Sequence, residues 1–183
     1  MSKLKPYIKF LLASTNAHGV HSPFVFKLIT QCFYINQEQE LLSRLLLYFN
    51  PYTIIVKDDN EVTENTIRKI NPQSVINKQE NFDFAIINYE QKDKTLHEFE
   101  KLLPYIQNDS IIVLNHIYSS QEMSEAWTII KANPQVRVSI DTFTCGLIFF
   151  RKEQPKEHFI IRPQTSLPLD IILGARKLWG LIS

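Results

Sequence analysis

Three short runs, 53–56, 82–88 and 110–114, carry apolar side chains at consecutive positions, and the stretches between them have helical spacing. A strand that is apolar on both faces must be covered on both, and intervening helices supply that cover. The pattern predicts an α/β fold with a mostly parallel sheet. Such sheets usually hold a nucleotide-like ligand through a glycine-rich turn after the first strand. Here that turn reads Lys57-Asp58-Asp59-Asn60-Glu61. The chain has four glycines, Gly19, Gly146, Gly174 and Gly180, and none falls where a buried strand hands over to a helix.

Ahead of the first strand, residues 4–12 place Leu4, Tyr7, Ile8, Leu11 and Leu12 on one helical stripe. Ser22-Pro23 reads as cap and first position of a second helix, with Phe24, Val25, Leu28, Ile29 and Phe33 on its apolar face. A third helix is expected over 37–48, ending before Asn50-Pro51. After strand 53–56 the spacing predicts a helix over 61–70, a brief strand over 74–77 and a strand over 82–88. A helix over 94–106, strand 110–114 and a helix over 120–132 follow. Residues 136–141 and 146–151 read as an antiparallel pair closing one edge. The expected division is helices over 1–50, a sheet core over 51–162 and an amphipathic tail over 163–183. That tail carries Leu169, Ile172, Leu173, Arg176, Lys177 and Trp179.

Composition narrows the class. With 183 residues, 44% of them hydrophobic, the chain can bury one sizeable core. A formal charge of +1 argues against a nucleic-acid binder, which would carry a strong basic excess. Cys32 and Cys145 are isolated and show no metal spacing. Residues 1–30 lack a leader-like apolar run, and no stretch reaches the length of a membrane span. A cytoplasmic protein without a transmembrane segment is the expectation.

Three stretches carry a resemblance. They are His18-Gly19-Val20-His21-Ser22-Pro23-Phe24-Val25-Phe26, residues 109–127, and residues 136–159 with Ile148-Phe149-Phe150-Arg151-Lys152-Glu153-Gln154. Together with the layout they resemble the class I S-adenosylmethionine-dependent methyltransferases, in a bacterial O-methyltransferase-like branch. The resemblance implies a Rossmann-like sheet with an antiparallel edge strand and S-adenosylmethionine as donor. In that family the first strand ends in an acid and a glycine-rich loop, and the second ends in an acid for the ribose hydroxyls. Only about two dozen residues separate Val56 from Phe82, too few for two full crossovers of about 10–12 residues plus their strands. One strand–helix unit is therefore expected to be missing. Where the family commonly shows an aspartate and then an acidic pair at the next strand ends, this chain has Asn88-Tyr89-Glu90 and Asn115-His116.

No residue carries over as a catalytic group or a metal ligand. Asp58, Asp59 and Glu61 suit a solvated helix start. His116 could act as a base, but no partner for it is evident. His18 and His21 flank a helix cap without a third ligand, and His158 reads as a surface residue after the final strand. The expectation is a methyltransferase-like protein that has lost S-adenosylmethionine binding and serves as a noncatalytic binding or partner subunit. Its oligomer contacts would run through the N-terminal helices and the tail. The alternative is an active enzyme holding the donor atypically through Asp58, Asp59, Asn88, Asn115 and His116.

Overall fold

The computed structural model of the protein describes residues 4–58, 62–77 and 81–163. The chain opens with helices α1 (Leu4–Ala13), α2 (Pro23–Leu28) and α3 (Leu41–Phe49), then strand β1 (Thr53–Asp58). Helix α4 (Val62–Ile70), a two-residue β2 (Val75–Ile76) and β3 (Phe82–Asn88) follow. Next come α5 (Lys92–Leu102), β4 (Ile106–Asn115), α6 (Gln121–Ala132), β5 (Val138–Asp141), β6 (Cys145–Phe149) and β7 (Glu157–Ile160). The seven strands form one sheet in the order β2-β1-β3-β4-β6-β5-β7. Only β6 runs against its neighbours, and the architecture is consistent with a Rossmann-like sheet.

Strand alternation builds two cores. Ile54, Val56, Phe84, Ile86, Ile111 and Val113 face the same side as Val25, Leu28, Phe33, Leu45 and Leu46 of the N-terminal helical region. Ile55, Ala85, Ile87, Ile112 and Leu114 face Phe99 and Leu102 of α5 and Trp127 and Ile130 of α6. Each large side chain so buried contributes about 1.5–3 kcal/mol over leaving it exposed. The start of β1 is tied to β3 by one carboxylate, since Asp83 Oδ2 accepts from the Tyr52 and Thr53 amides at 2.9 and 2.8 Å.

Several local expectations hold. Ser22 caps α2 through the Val25 amide, and Ser120 caps α6 through the Met123 amide. Asn50, at φ 43°, ends α3 in the left-handed region that asparagine tolerates. Both cysteines are free and buried.

Others need correction. The antiparallel strand is not at the edge: β6 sits between β4 and β5, and the edge strand β7 is parallel to β5. Its backbone pairs Val138 with Glu157 and Asp141 with Ile160, a pairing that exposed Glu157 and His158 conceal in sequence. His158 is therefore a strand residue. Part of it stays open to solvent, yet the ring lies against Trp127; desolvation, then the Lys131 charge, push its pKa down to about 4. The third helix starts at Leu41 rather than 37. Helix α1 forms as expected, but Phe10 is its buried residue, while Leu4, Tyr7, Ile8 and Leu12 are exposed. The expected tail helix with Trp179 lies outside the described residues. No helix among the described residues is long and apolar enough to cross a membrane.

Gly146 in β6 is required by close approach, not by its backbone angle. A Cβ there would lie 2.6 Å from a ring carbon of Trp127, which is itself fully buried. Gly146→Ala is expected to lower stability by about 1–3 kcal/mol through overpacking. Urea unfolding of the two proteins checks this, and an unchanged midpoint would show that the α6–sheet contact is looser than described.

Candidate functional site

Parallel strands β1, β3 and β4 deliver their carboxyl ends to one side of the sheet, the usual ligand side of open α/β folds. The register sets Asp58 directly beside Asn88. Their side chains then join across the strands. Asp58 Oδ2 accepts from the Thr63 hydroxyl and from Asn88 Nδ2 at 2.9 Å, and Asn88 Oδ1 accepts from Asn115 Nδ2 at 3.0 Å. Of the five residues singled out in the sequence, Asp58, Asn88 and Asn115 thus form one hydrogen-bonded row. His116 follows at φ 61°, with Nδ1 3.6 Å from Glu90 Oε1 on the surface. Asp59 lies outside the described residues.

The flanks of this row are occupied. Tyr89 is buried in the second core with the Lys94 ammonium 4.0 Å from its ring centre, and Lys57 pairs with Glu98 at 3.3 Å. At the end of β2, Asn77 Oδ1 accepts from the Val56 amide at 2.8 Å and its Nδ2 donates to Glu64.

The open space lies further along the sheet. A cleft of about 920 Å3 is bounded by α1, the start of α3, the end of β4 and the turn between β5 and β6. Asn115 and His116 form its boundary with the polar row. Its aromatic wall centres on Phe143, whose ring lies 4.9 Å from Tyr7, 5.4 Å from Phe10 and 5.3 Å from Tyr118. Phe143 adopts φ 70° in a three-residue turn, a conformation that hairpins usually assign to glycine. A bulky residue held there costs of order 1–3 kcal/mol, and the ring cluster is what offsets it.

Behind this wall, Asp141 is almost wholly buried. It accepts from the Tyr118 hydroxyl at 2.5 Å and from the Phe143 amide at 2.8 Å. Desolvation outweighs these donors and holds its pKa above the ordinary value of 3.8. Tyr118 is pushed up as well, first by burial and then by Asp141. Cys145 rises to about 11 and Cys32 to about 12, both chiefly by desolvation, so neither is a thiolate at neutral pH. Among the described residues no group of His, Cys, Asp and Glu could hold a metal ion.

The deepest cation of the cleft is Arg44, 5% exposed. Its Nη1 donates to the Phe33 carbonyl and, at 3.3 Å, to that of Pro163, while Nε is buried and makes no hydrogen bond among the described residues. Burial lowers its pKa, against the opposing influence of Cys32 and Glu38. Arg162 lies on the same cleft, bonded to Ser14 through Nη1. Sequence reasoning missed Arg44 and Phe143. The available signals were a lone arginine inside the run Leu41-Leu42-Ser43-Arg44-Leu45-Leu46-Leu47, and an aromatic in a turn free of glycine and asparagine.

Compared with known proteins, the chain matches no family model and no curated protein.

Removing the Tyr118 hydroxyl strands a buried carboxylate oxygen, so Tyr118→Phe should cost about 1–3 kcal/mol at neutral pH. Because burial raises Asp141 in the fold, stability linked to it is complete at low pH and is lost as pH rises through the folded value. The variant's deficit should therefore shrink on acidification toward the ordinary carboxylate range. Chemical denaturation at several pH values reads this, and a deficit independent of pH would contradict the assignment.

Proposed function

We propose that this chain is a methyltransferase-like protein that no longer binds S-adenosylmethionine and acts as a noncatalytic binding protein through the cleft beneath α1. The observation that carries this reading is the row Thr63–Asp58–Asn88–Asn115. Ribose hydroxyls need an acceptor that is free, and the donor's amino-acid part needs bare backbone. Asp58 Oδ2 already serves two donors, and the end of β2 carries a neutral, engaged Asn77 instead of an acid. Among the described residues these groups do not fit the donor, and no methyl-transfer step is derived through them. The single helix and two-residue strand between β1 and β3 accord with a family fold shortened by one unit.

The partner role belongs to the same reading. Helix α1 leaves Leu4, Ile8 and Leu12 exposed beside Lys5 and Lys9, an apolar face suited to another chain. One observation favours the alternative of an active enzyme with an atypical donor pocket. Asn115 and His116 border the open cleft as well as the polar row, so a ligand could reach both.

Calorimetric titration with S-adenosylmethionine and S-adenosylhomocysteine separates the two. The noncatalytic reading expects no saturable heat up to about millimolar ligand, a ceiling of roughly −4 kcal/mol of binding free energy. Micromolar binding of either compound would overturn it and establish the alternative.

A further inference from the structure

We infer that the cleft beneath α1 binds a small aromatic carboxylate, its carboxylate on Arg44 and its ring against Tyr7 and Phe143. The inference rests on reading this cleft as the ligand site of a noncatalytic binding protein.

A buried guanidinium stays protonated and is costly unless paired. Arg44 has no carboxylate within ion-pair distance among the described residues. Both of its hydrogen bonds go to carbonyls and both leave from Nη1. The opposite edge, Nε with Nη2, makes no hydrogen bond among the described residues. Nε is sealed from solvent, so Nη2 is the nitrogen left to meet a ligand from the cleft, and a carboxylate oxygen makes a charge-assisted acceptor for it. Ser119, which also lines the cleft, has an Oγ that is sealed from solvent and makes no hydrogen bond among the described residues. What points to an anionic ligand is the buried Arg44 charge on a residue lining the cleft, with its pairing incomplete among the described residues.

The rest of the cleft sets the ligand's body. Tyr7 is 41% exposed and Phe143 is half-buried, so the aromatic wall keeps free surface beyond its own ring contacts. Offset or edge-on packing against such rings favours a flat aromatic partner. A volume of about 920 Å3 is ample for one ring with small substituents. A phosphate dianion suits the site less well. Arg44 presents it few open donors, Arg162 on the same cleft already bonds Ser14, and the Glu40 charge on the rim opposes a dianion more than a monoanion.

The test uses the full chain at neutral pH with benzoate, benzamide and inorganic phosphate as probes, followed by calorimetry or ligand-observed NMR. Saturable benzoate binding is expected, with benzamide at least about tenfold weaker and phosphate weaker than benzoate. Arg44→Gln should weaken benzoate by about tenfold or more, and Tyr7→Ala by several-fold. Tyr7 is 41% exposed and Phe10 and Tyr118 still pack Phe143 without it, so Tyr7→Ala is the milder change and decides the matter if Arg44→Gln does not fold. No benzoate saturation by about 10 mM, equal benzoate and benzamide binding, or tighter phosphate would each overturn the inference. The S-adenosylmethionine titration is separate: donor binding refutes the noncatalytic reading, while benzoate silence alone refutes only the ligand class.

Discussion

The Asp58 carboxylate stands at the end of the first parallel strand, where a ligand of this kind of sheet would meet it, and its Oδ2 is spent on the protein itself. One lone-pair set receives the Thr63 hydroxyl from α4 and the Asn88 amide from β3. Asn88 then uses its own oxygen to hold Asn115. An amide both donates and accepts, so two asparagines can pass a hydrogen bond across three strands where two carboxylates would repel. Neutral side chains at the ends of β3 and β4 are thus what allow the strand ends to be tied together.

With that end engaged, the free space falls on the far side of β4. There the reversed strand β6 leaves a three-residue turn, and α1 lies over it through Phe10 and Tyr7. The cleft is built from costly parts. Phe143 sits in a backbone conformation unfavourable to it, Asp141 is a desolvated acid, and Arg44 is a desolvated base. Asp141 is satisfied by Tyr118 and the Phe143 amide, and Phe143 by three rings. Arg44 is the member whose compensation is incomplete within the described residues, and an anionic ligand would complete it.

Much of the scaffold was legible because local chemistry and burial agree. The apolar runs at β1, β3 and β4, the serine caps and the Asn50 stop all follow from residue type and spacing. Strand β7 was not legible: Glu157 and His158 carry no apolar alternation, and only backbone pairing to β5 makes them a strand. The packing of α1 was legible only in part: Leu4, Ile8 and Leu12 of its periodic stripe are exposed, Tyr7 reaches Phe143, and Phe10, off the stripe, is the buried residue. For the site, the row of Asp58, Asn88 and Asn115 could be named as strand-end residues, but their mutual bonding depends on register. Arg44 was hidden by its own neighbours, because a charged residue in a leucine-rich helix normally marks the solvent side.

The most direct measurement is a crystal structure of the chain soaked with S-adenosylhomocysteine at saturating concentration. If the strand ends are held by their own side chains, Asp58 should still accept from Asn88, Asn88 from Asn115, and no density for the compound should stand beside Val56. Well-occupied ligand between the ends of β1 and β3, with the asparagine row parted to admit it, would contradict the central claim.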